Sequence, residues 1–346
     1  MQSPIFNKQD FRLCRVPVPP GYPQSQTHSG VAYCSGQYYL TCSPYPVKKQ
    51  SRWMSYAVAF LQKLTRGRLG TPIDAEWYEN PMLYVGTSNG DYAPTAFKAL
   101  SPFPLMGTPE PVYGQPAYNS DPDLFIDEGR VYILNRTYYR KPATNGGAAK
   151  KEVLLSLIKG NIDENGFQFL GIEEFKRSSS SLISPCLIKY RGEYLFTQLE
   201  TNSAIDGNNF DGLYVQKEAT VDGLCKRDDY SIVKVNGGDL LPWHMSLFTY
   251  NEELYTIITC VKKGDTSHLW QMMGKFTPDL TELEIYPRPL TDYNSYRGAA
   301  VVVDENFVLY TTTLNDKVKG SKSVDGRDIL MASKPVKELI KQIESE

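Results

Sequence analysis

A strand-turn-strand pattern recurs five times along the chain with one internal spacing, and a repeat of this kind decides the architecture before any local structure is assigned. The copies read HSGVAYCSGQYYLTC from His28, DPDLFIDEGRVYILN from Asp121, SPCLIKYRGEYLFTQ from Ser184, HMSLFTYNEELYTII from His244 and RGAAVVVDENFVLYT from Arg297. A polar anchor opens each copy, and a turn residue follows at the same distance: Gly36, Gly129, Gly192, Glu252 and Glu305. Apolar and aromatic runs flank that turn on both sides, as in a hairpin of two short buried strands.

A second, weaker repeat supplies outer strands: MLYVGTSNG, VLLSLIKGN, GLYVQKEAT, HLWQMMGKF and DILMASKPV. Two hairpins make a four-stranded blade, which takes about 40 to 50 residues with its loops, and every interval between anchors can hold one. The 346 residues are therefore read as a single all-β domain spanning 1–346. It is expected to be a five-bladed β-propeller of four-stranded antiparallel blades that begin near 28, 121, 184, 244 and 297. The first interval carries an excess at about 47–75, an insertion that serves either as a loop packed on the rim or as a lid. The last blade lacks a fourth strand of its own, and residues 11–18 read as the strand that closes the ring and removes an exposed edge. The tail KPVKELIKQIESE has helical spacing and is expected as a short C-terminal helix outside the ring.

Composition agrees, since 24 Tyr, 26 Gly and 23 Pro suit many short strands and tight turns. With 37 Lys+Arg against 39 Asp+Glu, the chain has no general field to draw in nucleic acid or anionic membrane. No stretch is long enough to span a bilayer, and the N-terminus lacks the basic start and apolar run of a signal peptide. The expectation is a cytoplasmic or virion-associated protein without nucleic-acid or membrane partners. Six cysteines without a CxxC pair predict neither a disulfide framework nor a zinc–thiolate centre.

The first strand of every propeller blade lines the central channel, so the anchors His28, Asp121, Ser184, His244 and Arg297 are expected to converge at one mouth. Solvating a channel entrance accounts for Ser184 alone. Two of only three histidines, an aspartate and an arginine at equivalent positions point instead to a ligand-binding funnel. The loops joining second and third strands return to that face and add Tyr45, Arg136, Tyr139, Glu200, Glu79 and Asn80. Trp243 precedes His244, and Trp53, Trp77 and Tyr78 fall in or beside the insertion. Aromatics there either stack on the flat faces of sugars or cap a core.

In these residues, most closely in SDPDLFIDEGRVYIL, the chain resembles the five-bladed propeller glycoside hydrolases of the family 43 and family 32 type, the arabinanases, xylosidases and fructosidases. The similarity covers the repeat pattern over most of the chain. It implies a glycan or oligosaccharide ligand and three funnel carboxylates: a base on the first blade, an aspartate that tunes and orients on the second, and an acid on the third. Two carboxyls are required because one protonates the leaving oxygen while the other activates water or attacks the anomeric carbon. Asp121 matches the second-blade aspartate, but His28 and Ser184 stand where the base and acid belong. The carboxylates available as replacements are Asp123, Glu79 and Glu200, so the expected catalytic set is Asp121, Glu79 and Glu200. His28, Asn80, Asp123, Arg136, Ser184, Trp243, His244 and Arg297 are expected to contact substrate. Two functions stay open: an atypical glycoside hydrolase needing no cofactor, and a non-catalytic glycan-binding or structural module of a larger assembly such as a phage particle. A metal ion held by His28, His244 and Asp121 is a third arrangement these residue types allow.

Overall fold

The computed structural model describes residues 2–19, 25–44, 79–88, 93–107, 109–110, 117–141, 150–178, 182–201, 210–314, 318–323 and 326–344. The insertion at 47–75 and the aromatics Tyr45, Trp53, Trp77 and Tyr78 lie outside them. The first strand in the chain, β1 (Arg12–Leu13), belongs to the last blade. The first blade is β2 (Gln26–Cys34), β3 (Gln37–Pro44), β4 (Met82–Thr87) and β5 (Lys98–Ala99). The second is β6 (Ala117–Asp127), β7 (Arg130–Lys141), β8 (Lys150–Asp163) and β9 (Gly166–Ser178). β10 (Leu182–Tyr190), β11 (Glu193–Thr201), β12 (Phe210–Glu218) and β13 (Ser231–Asn236) make the third, with the helix α1 (Val221–Lys226) between its outer strands. The fourth is β14 (Leu240–Tyr250), β15 (Glu253–Lys262), β16 (Asp265–Phe276) and β17 (Glu282–Ile285). β18 (Ser295–Val303), β19 (Asn306–Thr313) and β20 (Ile329–Pro335) form the fifth, and α2 (Val336–Glu344) follows.

Within each set the strands are antiparallel neighbours in chain order. The third and fourth blades also join along their outer edges, because β13 runs parallel to β17 with Lys234 opposite Glu282. β1 completes the fifth blade by pairing with β20, Arg12 opposite Met331 and Leu13 opposite Leu330. That pairing is shorter than residues 11–18, because the segment then leaves β20: Arg15 N–H donates to Thr95 O and Phe97 N–H to Arg15 O. The N-terminus thus ties the last blade to the first. The inner strands β2, β6, β10, β14 and β18 stand side by side in that order, and β18 returns to β2.

The apolar core is divided like the ring. One buried cluster fills each gap between neighbouring blades: Tyr39, Leu124 and Ile133 in the first gap, Leu134, Phe175 and Phe196 in the next, then Leu199, Met245 and Ile258. Phe248, Ile257 and Phe307 follow, and Leu40, Tyr84 and Tyr310 close the circle. Alternating side chains of adjacent sheets interdigitate there, each burial contributing about 1.5–3 kcal/mol for a large apolar side chain. Helix α2 caps the fourth gap with Val336, Leu339 and Ile343, whose spacing lies on one helical face.

The five inner hairpins turn in the same way. Both central residues have positive φ: Ser35–Gly36, Glu128–Gly129, Arg191–Gly192, Asn251–Glu252 and Asp304–Glu305. That is the backbone of a type I′ turn, whose twist matches the flanking strands. Glycine suits the second position, and the fourth and fifth hairpins place glutamate there at φ 61° and 62°. We expect Glu252→Gly to hold or raise stability by up to about 1 kcal/mol, since relief of ~1–2 kcal/mol of left-handed strain outweighs the ~0.5–1 kcal/mol of added chain entropy. Gly129→Ala is expected to cost about 1–3 kcal/mol, because φ is 79° and a Cβ there would meet Ile162 O at 2.8 Å. The urea midpoint of Gly129→Ala should fall, and that of Glu252→Gly should not.

Candidate functional site

The five anchors sit within the inner strands rather than at their first residues. Each inner strand breaks register at its anchor: between Thr27 and Gly30, Ser120 and Asp123, Ile183 and Cys186, Pro242 and His244, and Ser295 and Gly298. His28, Asp121 and Ser184 have φ of 54°, 53° and 51°. A bulge inserts an unpaired residue and re-aims its side chain; His28, Asp121, Ser184 and Arg297 lie inside their register breaks, whereas in β14 the extra residue is Trp243 and His244 beside it pairs with Thr259.

Asp121 is at the centre, with 1% of its surface exposed. Its Oδ1 lies 3.2 Å from His28 Nδ1 and 3.7 Å from His244 Nδ1. Its Oδ2 faces Arg136 Nε at 3.2 Å and accepts from Ser184 N–H at 3.3 Å. The other ring nitrogen of His28, Nε2, is 2.7 Å from Glu79 Oε2, so one imidazole stands between two carboxylates. Burial pushes the Asp121 carboxyl up, but Arg136 with His28, His244 and Arg297 outweighs it and holds the group far below the usual carboxylate range. Burial drives His244 well below its ordinary 6.5 despite the nearby carboxylate, which favours a neutral ring.

Asp123, Ser184 and Arg297 make their contacts with protein. Arg297 is fully enclosed; its Nη1 donates to Pro122 O at 3.0 Å, and its Nη2 to Asp123 Oδ1 at 3.1 Å and Met245 O at 3.3 Å. Asp123 Oδ2 accepts from Leu187 N–H at 3.2 Å, and burial lifts the Asp123 carboxyl to about 6 against Arg297 and that N–H. Ser184 Oγ donates to Met245 O at 3.0 Å and accepts from Met245 N–H at 2.8 Å, stitching β10 to β14. Asn80 Oδ1 accepts from Asn119 Nδ2 at 2.8 Å, which fixes the entry to β4 beside Glu79. Arg136 also donates to Ser120 Oγ and to Leu182 O.

Glu200 stands opposite Leu182, whose carbonyl accepts from Arg136, in the β10–β11 register and beside the Tyr214 hydroxyl. Tyr139 is opposite Ala117 and close to Arg177 and Glu152, toward the outer strands. Trp243 is half-buried, its ring 6.1 Å from that of His244. The residue sequence reasoning missed is Tyr296. Its half-buried ring meets His28 at 5.0 Å and His244 at 4.9 Å, and the guanidinium of Arg327 lies 6.0 Å from it. It directly precedes an anchor, as Trp243 does, and that position in the repeat was the available signal.

The arrangement gathers one ionised carboxylate, two imidazoles, a second carboxylate and a guanidinium, with Glu79, Arg136, Trp243 and Tyr296 keeping some exposure. One donor atom each from His28, Asp121 and His244 lies within 4.8 Å of the others, a spacing that suits a metal ion.

No protein-family model and no curated protein sequence matches the chain. Solved structures do. An N-acetylgalactosamine deacetylase from F. plautii, in complex with blood group B trisaccharide, superposes with a TM-score of 0.58 at 13% identity over 96% of this chain and 98% of that one. Xylan β-1,4-xylosidase from Bacillus halodurans gives 0.59 at 12% identity over 90% of this chain, which spans 53% of the xylosidase. A family 43 glycoside hydrolase from Xanthomonas citri complexed with xylose gives 0.53 at 11% identity, covering 90% and 89% of the two chains. The fold is that of the propeller glycoside hydrolases.

The buried Arg297–Asp123 pair yields a test. Arg297→Met leaves Asp123 uncompensated and is expected to cost about 3–5 kcal/mol near neutral pH. A carboxyl whose folded pKa lies above its unfolded 3.8 binds more protons folded, so it loses stability as pH rises from there through the folded value, about 6 in the wild type. Without Arg297 that folded value rises further. Denaturant titrations should therefore show a smaller penalty at pH 5 than at pH 8.

Proposed function

We propose that this propeller is a carbohydrate-active hydrolase that takes a glycan into its central funnel. The observation that carries the reading is His28 set between the Glu79 and Asp121 carboxylates, at 2.7 and 3.2 Å, among the inner strands. Folding alone gives no reason to bury so many charged groups in one place, since each costs several kcal/mol unless fully compensated. Clusters of this kind mark functional sites.

In the glycosidase form of the reading, Asp121 stays ionised and activates water or steadies the positive charge that develops at the anomeric carbon. Glu79, the more exposed carboxyl, delivers a proton to the leaving oxygen as the C–O bond breaks, and the oxygen of water joins the anomeric carbon as its proton passes to Asp121. Trp243 and Tyr296 offer apolar faces to the sugar rings, and Arg136 a donor to hydroxyls. Glu200 stays in reserve one blade away. The test is release of reducing sugar from a panel of oligosaccharides and aryl glycosides. Asp121→Asn should lower kcat by about 10²–10⁴-fold with its melting temperature recorded alongside. Full turnover in a folded variant removes Asp121 from the mechanism.

A second reading, removal of an acyl substituent from a sugar, is favoured by Ser184. This residue holds the third-blade acid position, and its hydroxyl is spent on the Met245 backbone. The similarity to an N-acetylgalactosamine deacetylase over almost the whole of both chains supports it. Acetate released from N-acetylated sugars without loss of glycosidic bonds selects this reading. Saturable glycan binding with neither product marks a non-catalytic glycan-binding module, the role it would have in a larger assembly such as a phage particle.

A further inference from the structure

Several buried polar atoms in the funnel have no hydrogen-bond partner: both ring nitrogens of His28, both of His244, Asp121 Oδ1 and Glu79 Oε2. Leaving such atoms unsatisfied costs about 1–3 kcal/mol each, and here they share one small space. Close approach without aligned hydrogen bonds is what a set of metal ligands shows, because their lone pairs are directed at a point between them.

The distances fit. Ligand atoms about 2.1 Å from a tetrahedral ion stand about 3.4 Å apart; His28 Nδ1 is 3.2 Å and His244 Nδ1 3.7 Å from Asp121 Oδ1. The surrounding contacts choose the ligating atoms. Glu79 Oε2 lies 2.7 Å from His28 Nε2, which leaves Nδ1 for the ion in a carboxylate–histidine–metal arrangement. Arg136 Nε and Ser184 N–H occupy Asp121 Oδ2, which leaves Oδ1. The three residues are on separate blades, so the ring itself preforms the site.

We propose that His28 Nδ1, Asp121 Oδ1 and His244 Nδ1 bind one divalent transition-metal ion, such as Zn²⁺ or Mn²⁺. Two imidazoles and a carboxylate suit first-row divalent ions better than Mg²⁺ or Ca²⁺, which take all-oxygen shells. Three protein ligands leave a coordination position for water or a substrate oxygen, as in catalytic rather than structural sites. Tyr296, against both imidazoles, walls one side. The inference goes beyond the glycan reading and stands on the ligand geometry alone.

The test uses the full chain, stripped with chelator and titrated with Zn²⁺ and with Co²⁺. One equivalent per chain is expected, with a rise in melting temperature from preferential binding to the folded state and visible Co²⁺ absorption of a four- or five-coordinate site. His244→Gln and Asp121→Asn should abolish stoichiometric binding. Glu79→Gln should weaken it by about 10–100-fold, and His268→Gln should leave it intact. X-ray absorption of the Zn²⁺-loaded wild type reads the shell directly, so the test does not depend on the variants folding; it should report two imidazoles and oxygen. A folded wild type that binds no ion overturns the proposal, as does a sulfur or all-oxygen shell, or binding unchanged in folded His244→Gln. Ion binding without turnover of any glycan sinks the hydrolase reading and leaves this one standing. Full turnover by a wild type that binds no ion does the reverse.

Discussion

One buried charge organises the centre of this molecule. The Asp121 carboxylate comes from the second blade and meets His28 of the first, the Ser184 N–H of the third and His244 of the fourth, with Arg136 beside it from its own blade. Arg297 of the fifth adds positive charge close by and is itself tied to Asp123 and to Met245 O. A lone carboxylate there would pay a desolvation cost of several kcal/mol or more, and it stays ionised only if all the inner strands keep their places. The charge therefore couples the blades across the axis, while apolar clusters couple them around the circumference.

That coupling needs a backbone device. Regular strands point alternate side chains to the two faces of their sheet, toward the neighbouring blades, and register breaks at or beside the anchors interrupt that alternation where the polar side chains gather. Non-glycine residues with positive φ cost roughly 1–3 kcal/mol each and persist only where the surroundings over-determine them. His28, Asp121 and Ser184 all carry this strain. The gaps between blades, filled by side chains almost completely removed from water, hold the ring against it. Strained backbone, buried charge and unsatisfied polar atoms coincide among the inner strands, and that coincidence is what supports reading the cluster as a site.

The inner hairpins were legible in the sequence because two strands joined by a two-residue turn form a local unit. Alternation and turn chemistry specify it within fifteen or so residues. The anchors were legible for the same reason, as polar residues at a fixed offset ahead of each turn. Tyr296 was passed over because attention went to the anchor after it, although Trp243 stands at the same offset in the blade before. The short reach of β1 was not legible either. Where the N-terminal segment leaves β20 for Thr95 and Phe97 depends on partners eighty or more residues away.

By itself the sequence determined the repeat, the hairpins, the all-β class and the identity of the anchors, since these follow from local periodicity and residue type. Only the tertiary structure decided what each anchor touches. Residues up to 269 positions apart had to be gathered among the inner strands before Arg297, Asp123 and Ser184 could be seen to brace the blades while His28, Asp121 and His244 share one space. Charge compensation in a buried cluster depends on ångström-scale distances among side chains from different blades, and no spacing along the chain encodes those.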